Sequence, residues 1–319
     1  MNASYDKSAA VAVLPPVSGG RLQDKSLRTW LARSDLALEP EKQELLAQVT
    51  AVLGLPYPEE GLAALRMWGQ TGDRPTVWIA GADPVYLEPR LDHLRLHALP
   101  RAAMPPADLR ALFNHLQVTL SDDKRFGFAR LGSCGYLRST SPIATAAMPA
   151  YVVDKQVPTD FLPQGDDSAT FRNLLSEIEM SLHDHDANQR RIAAGQQPVN
   201  GLWLWGGGLA PARQTRAQPP LFSDDPLLLG YWDCASAVAR LWPGSIADCI
   251  EATAAGFVAV TPEHQGDSAF LEDCLRQLRA ALREKRISRL TILFRDGRRA
   301  DVRRVHQLRF WRRDSKLLD

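Results

Sequence analysis

Close to the C-terminus an apolar run, an amphipathic stretch and a second apolar run follow one another. GFVAVTP (256–262) reads as a buried strand, and FLEDCLRQLRAAL (270–282) as a helix with Leu271, Leu275, Leu278 and Leu282 on one face. RLTILF (289–294) reads as another buried strand, and Asp296-Gly297 after it is a hairpin-turn pair. Strands that are apolar on both faces need cover above and below, and helices with leucines every three or four positions supply it. Strands alternating with helices in this way restrict the chain to an α/β sheet architecture.

The preceding residues add pieces of the same kind. VAVLPP (11–16) is a short buried strand closed by proline. Helices are expected around 26–34 and 41–53, the second carrying Leu45, Leu46, Val49 and Val52 at helical spacing. TVWIAGADPVYL (76–87) is β-rich, and LDHLRLHAL (91–99) alternates as a half-buried strand does. Pro105-Pro106 opens a helix whose face is Leu109, Leu112, Phe113 and Leu116. RFGFARLGSCGYLRS (125–139) reads as short strands with glycine turns, and 140–168 as a connector. Ser168 is placed to cap a helix with Phe171, Leu174, Leu175, Ile178 and Leu182 on its apolar face. VNGLWLWGGG (199–208) reads as a strand entering a glycine turn, and 209–228, with four prolines, as a loop.

Composition removes several function classes. With 319 residues, 45% hydrophobic and 24% charged, the chain has the make-up of a globular protein with a sizeable core. A net charge of +1 argues against a polyelectrolyte binder. The charge is uneven: residues 283–313 hold twelve Lys/Arg against three Asp/Glu, an excess of nine, which leaves −8 elsewhere. Cys134, Cys234, Cys249 and Cys274 form no CxxC and suit free, mostly buried thiols of a reducing compartment. AAVAVLPPV (9–17) lacks the features of a signal peptide, and no apolar stretch approaches the roughly 20 residues of a membrane span. The expected location is the cytoplasm.

Four stretches have residue types that carry chemistry. In LHDHDANQRR (182–191), Glu179 and His183 share a helix face, and His183, Asp184 and His185 are metal-ligand types. A solvated polar helix end is the competing reading, because alternating residues do not point to one side of a helix. Gly206, Gly207 and Gly208 permit close backbone approach and an anion nest, or simply a turn that lets Trp203 and Trp205 pack. No GKS or GKT follows and no GxGxxG opens a helix, so neither a P-loop nor a dinucleotide fingerprint is present. Cys134 in GSCG has no histidine near it in sequence and suits a structural thiol. The basic end, RDGRRADVRRVHQLRFWRR (295–313), interleaves arginines with Phe310 and Trp311, a pattern that suits phosphates and bases or a solvated hairpin.

In order along the chain, VLPPVSG, GADPVYLEPRLDHLRLH (81–97), LPQGDD (162–167), LLSEIEMSLHDHDANQRR (174–191), VNGLWLWGGG and DGRRADVRRVHQLRFWRR (296–313) resemble the RpfE-type regulatory proteins, often described as phosphoglycerate-mutase-like. That family in turn is similar to archaeal-type, cofactor-independent phosphoglycerate mutases of the alkaline phosphatase superfamily. The arrangement of His185, Asn188, Arg191, Gly195, Asn200 and Gly206 to Gly208 is similar to a His-x-x-Asn-x-x-Arg helix followed by a glycine-ended strand in those enzymes. The resemblance implies an alkaline-phosphatase-like mixed sheet flanked by helices, the α/β core taking 1–75 and 150–319 and a smaller α+β insert taking 76–149. Active members of the superfamily hold two divalent metals and use a serine nucleophile. Here the first strand is followed by no acid until Asp24, and the C-terminal segment has only His306 among its histidines.

The resulting expectation is a non-catalytic, cytoplasmic regulatory or ligand-sensing protein, with no metal and no cofactor, linked by resemblance to regulation of bacterial pathogenicity factors. Its expected ligand set is His185, Asn188, Arg190, Arg191, Asn200, Trp203, Trp205 and the glycines Gly206, Gly207 and Gly208, facing a small anionic ligand. A protein partner is the other possibility, with neither nucleic acid nor membrane expected. Two alternatives stay open. One is a metal-dependent phosphomonoester mutase or hydrolase using Asp83, His183, Asp184, His185 and His264; the other is a nucleic-acid or protein binder working through the basic end.

Overall fold

The computed structural model describes residues 9–39, 42–99, 104–121, 125–164, 168–253, 256–263 and 265–319. They form two compact units: 1–57 with 213–319, and 58–212. The expected insert, 76–149, lies wholly inside the second unit, which extends beyond it on both sides. It extends because the helix before residue 76 and the strand at 201–208 both pack on the strand that begins at Trp78.

The first unit starts with β1 (Ala9–Leu14), α1 (Lys25–Ala32), β2 (Asp35–Leu38) and α2 (Leu45–Leu53). The second contains α3 (Leu62–Thr71), β3 (Trp78–Pro89), β4 (Leu94–Ala98), α4 (Pro106–Thr119), β5 (Phe126–Leu131) and β6 (Cys134–Ser139). It continues with α5 (Ala150–Val153), α6 (Ser168–His183), α7 (Asp186–Ala193) and β7 (Gly201–Gly208). The first unit resumes with β8 (Leu221–Phe222), α8 (Pro226–Cys234), β9 (Ala239–Arg240), α9 (Ile246–Glu251) and β10 (Val258–Val260). It ends with α10 (Ser268–Arg283), β11 (Arg289–Phe294) and β12 (Arg298–Arg303).

In the first unit the strand order is β2-β12-β11-β1-β10-β8-β9. The run from β11 to β9 is parallel, and β12 and β2 add an antiparallel edge. The expected α/β mixed sheet flanked by helices is what the chain forms. Side chains alternate across β1: Ala10, Ala12 and Leu14 join the cluster made with Leu27, Trp30 and Leu31 of α1, Ile246 and Cys249 of α9, and Leu271, Leu275 and Leu278 of α10. Val11 and Val13 are equally buried on the opposite face. Helix starts follow local chemistry. Asp24, Asp225, Ser245 and Asp267 each accept backbone N–H groups at the head of α1, α8, α9 and α10.

In the second unit β3 is the spine, pairing antiparallel with β4, β6 and β7, while β5 lies outside β6. Trp78, Ala80 and Ala82 on one face of the sheet meet Leu112 and Phe113 of α4 and Phe171 and Ile178 of α6. The expected apolar faces of α4 and α6 are therefore the buried ones.

Several elements depart from expectation. The segment 209–228 contains β8 and the first turn of α8, because Pro226 occupies an early helical position where a missing N–H costs nothing. The strand expected over 91–99 is limited to Leu94–Ala98, after a turn closed by the Arg90 N–H to the His93 carbonyl. The connector 140–168 includes α5. The Ser168 side chain and Gly165 to Asp167 lie outside the described residues.

Gly256 enters β10 beside the backbone of Ala9, where a Cβ would overlap the Ala9 carbonyl, whereas Gly266 has open space around it. Gly256→Ala is expected to destabilise the first unit by about 1–3 kcal/mol and Gly266→Ala to leave it unchanged, read from paired urea-denaturation midpoints. Equal midpoints would contradict this strand register.

Candidate functional site

The residues expected to bind a ligand come together around α7 and β7, but most of their polar atoms already have partners. His185 is the N-cap of α7, its Nδ1 accepting the Ala187 N–H at 3.1 Å. Its ring lies 4.9 Å from that of His115, whose Nε2 is 3.0 Å from the Ser181 carbonyl. Asn188 is buried, and its amide donates to the carbonyls of Leu182 and Val199 while its Oδ1 accepts the Val199 N–H, each at 2.8 Å. Asn200 spans to β3 in the same way, accepting from the Leu87 N–H at 2.7 Å and donating to the Leu87 carbonyl at 2.9 Å. Arg191 is buried and donates from Nε to the Gln197 carbonyl, and Arg190 is exposed and pairs with Asp108 at 2.8 Å. This set folds the α7–β7 connection onto the sheet.

The glycine run has an equally local cause. The Gly206 N–H donates to the Ala146 carbonyl at 2.8 Å and the Gly207 N–H to Thr145 Oγ1 at 3.0 Å. The Gly207 carbonyl accepts the N–H of Gly61, the cap of α3. A Cβ on Gly206 would press on Leu62, one on Gly207 on Trp78, and one on Gly208 on Gly61. The three glycines let the head of α3 lie directly on β7. The two N–H groups an anion nest would need at Gly206 and Gly207 are therefore already hydrogen-bonded within the protein. Trp203 Nε1 donates to the Met148 carbonyl at 2.8 Å.

Trp205 leads to a centre that sequence reading missed. Its indole packs against Gly81, and the Arg66 guanidinium lies 5.0 Å from its ring and 4.7 Å from that of Tyr136. Arg66, on α3, is 1% exposed and bonds to Asp83 Oδ1 at 2.8 Å and to the Gly135 carbonyl at 2.7 Å. Burial works against its charge, but Asp83 together with Cys134 and Tyr136 holds the guanidinium above its ordinary pKa. Burial likewise raises the Tyr136 phenol, which donates to Gln70 Oε1. The signal available in sequence was an arginine inside an otherwise apolar LAALRMW segment.

The metal-type residues do not gather. Asp83 is held by Arg66, His185 caps α7, and His183 and Asp184 are largely exposed, 3.9 Å apart. His264 lies outside the described residues. Among the described residues, no three His, Cys, Asp or Glu side chains are grouped to hold a metal ion.

Ligands of open parallel sheets lie outside the carboxyl ends of the strands. In the first unit β1 runs there into Pro15, Pro16, Val17 and Ser18. Asp296, after β11, accepts the N–H groups of Val17 and Ser18 at 3.0 and 2.9 Å. Asp224, after β8, accepts the Trp242 N–H, while Asp225 and Asp267 cap α8 and α10. In and beside the basic end four arginines are paired: Arg298 with Asp296, Arg289 and Arg299 with Asp301, and Arg309 with Asp35. Phe310 and Trp311 are exposed and meet edge to face, 5.3 Å apart. Cys249 and Cys274 are buried, and burial pushes both thiols up to about 12.

No protein-family profile matches the chain. Short stretches are similar to curated enzymes. The 2,3-bisphosphoglycerate-independent phosphoglycerate mutase of Methanothrix thermoacetophila is 35% identical over 69 residues, 22% of this chain and 17% of that enzyme. Its counterpart in Methanosarcina acetivorans is 32% identical over 71 residues, 22% of this chain and 18% of the enzyme. The matched stretch thus spans under a fifth of either relative. Among solved structures, the PH0037 protein from Pyrococcus horikoshii superposes with a TM-score of 0.52 at 9% identity, covering 94% of this chain and 88% of that one, a likeness of fold. The cofactor-independent phosphoglycerate mutase from Thermoplasma acidophilum gives 0.42 at 17% identity, covering 93% and 89%.

Two outcomes follow from this geometry. Arg66→Met should strand Asp83 and lower the stability of the second unit by about 3–5 kcal/mol, with Arg66→Met/Asp83→Leu recovering part of the loss, measured by equilibrium denaturation. A silent single variant would show that the ion pair holds nothing. The second outcome concerns pH. Burial, and then the neighbouring His115, lower the His185 pKa below 6.5, so the native state favours the neutral ring that caps α7. This stabilisation is complete above about pH 6.5 and declines as pH falls towards the native pKa. His185→Asn retains a capping acceptor without titrating, so its melting temperature should fall less than that of the native chain between about pH 7.5 and 5.5.

Proposed function

We propose that this chain is a non-catalytic regulatory or ligand-sensing protein of the cytoplasm, built on a phosphoglycerate-mutase-like scaffold of the alkaline phosphatase type. The observation that carries this reading is the role of the acids at the carboxyl edge of the parallel sheet. Asp224, Asp225, Asp267 and Asp296 each accept backbone N–H groups at separate loops and helix starts. Two-metal phosphoryl transfer needs carboxylates and histidines that converge on both the attacking and the leaving oxygen. Here the same residue types build the edge of the sheet. The RpfE-type resemblance supplies the regulatory half of the reading, including its link to pathogenicity factors.

A second reading has its own support. The names of the curated relatives, phosphoglycerate mutases, favour a metal-dependent phosphomonoester mutase or hydrolase. Exposed Glu263 follows β10 at the carboxyl edge that such a site would use.

The two readings separate in one assay. Purified protein is supplied with Mn²⁺, Zn²⁺ or Mg²⁺, its bound metal is counted by elemental analysis, and turnover of 3-phosphoglycerate and p-nitrophenyl phosphate is followed. The proposal expects no turnover above the buffer rate. Metal-dependent turnover abolished by His264→Ala would establish the second reading instead.

A further inference from the structure

The structure assigns a phosphate-binding groove to the first unit, between α1 and α10. It has a volume of about 450 Å³ and polar walls, with Ser26, Thr29 and Arg33 on one side, Arg279 and Arg283 on the other, and Gln307 at its end. These positions follow from helical spacing: 26, 29 and 33 fall on one face of α1 and its C-cap, and 279 and 283 are one turn apart on α10. Trp30, nearly buried, adds an apolar wall.

The charges in the groove are not neutralised from within. Among the described residues, Arg33, Arg279 and Arg283 have no carboxylate within ion-pair distance, whereas Arg289, Arg298, Arg299 and Arg309 each have one. Arg33 donates to the Gln307 carbonyl at 3.3 Å, and its Nε is buried without a hydrogen-bond partner. Arg279 donates to Ser26 Oγ at 2.7 Å. Burial lowers the Arg279 pKa, as does repulsion from Arg283 and Arg33. The acid that acts on it, Asp24, is committed to the head of α1 and to Arg276.

Guanidinium forks match oxyanions through paired N–H donors. Three of them, with the Ser26 hydroxyl, offer more donors than the two oxygens of one carboxylate accept, and suit the three oxygens of a terminal phosphoryl group; the Thr29 hydroxyl donates to the Arg313 carbonyl. The volume lies in the range of small-metabolite sites, which sets the ligand class as a phosphate ester or pyrophosphate of metabolite size. The site is separate from the α7–β7 residues and from the carboxyl edge. It stands whether or not the chain is catalytic: turnover of phosphomonoesters would overturn the proposed function and leave this groove unaffected.

Isothermal titration of the full chain with inorganic phosphate and with pyrophosphate, against chloride at matched ionic strength, tests the assignment. Saturable binding of pyrophosphate is expected, weakened about tenfold or more by Arg283→Ala and by Arg33→Ala and unchanged by Arg110→Ala, which removes an exposed arginine of the second unit. Arg283 is exposed and has no ion pair to lose, so its variant keeps the fold, which circular dichroism verifies. Absence of saturable binding, or equal affinity in Arg283→Ala, Arg33→Ala and the native chain, would overturn the site.

Discussion

Gly81 sits against the Trp205 indole so closely that any side chain at that position would overlap the ring nitrogen. Much of the second unit depends on this contact. β3 lies between β6 and β7 with the indole over Gly81, and the indole and Tyr136 together flank the Arg66 guanidinium. Gly135 repeats the constraint one strand away, where a Cβ would overlap the Ala82 carbonyl and Phe113. The missing side chains let strands and helix approach until a buried cation reaches both Asp83 and the Gly135 carbonyl. A charge so placed is tolerated only with its partners in position, which makes the arrangement specific as well as compact.

The same principle reassigns the polar residues around α7 and β7. Asn188 and Asn200 resemble ligand-binding side chains in sequence, and each closes a backbone gap that regular secondary structure leaves open. Asp225 and Asp267 do equivalent work at helix starts in the first unit. Less compensated polarity lies in the α1–α10 groove, where Arg33, Arg279 and Arg283 come together with no carboxylate at ion-pair distance among the described residues.

How much of this was legible depended on periodicity. α4, α6 and α10 could be read because one face of each is buried and the other is wet, and β1 and β11 because both of their faces are apolar. α3 could not be read, since Leu62, Ala63, Ala64, Leu65, Arg66 and Trp68 are all buried and leave no polar stripe to reveal the helical period. The two-residue strands β8 and β9 are too short for any pattern to develop. The site was less legible than the fold. Helical spacing places Arg279 and Arg283 on one face, but Arg33 comes from a helix some 250 positions away in sequence.

The sequence by itself determined the α/β class and the apolar faces of the long helices. Both follow from hydrophobic spacing, a property of a residue and its near neighbours. Only the tertiary structure decided which polar side chains are committed to the backbone and which charges remain without a counter-ion. That depends on distances between segments far apart in the chain, such as Arg66 to Asp83 or Arg33 to Arg279, which chain folding alone sets.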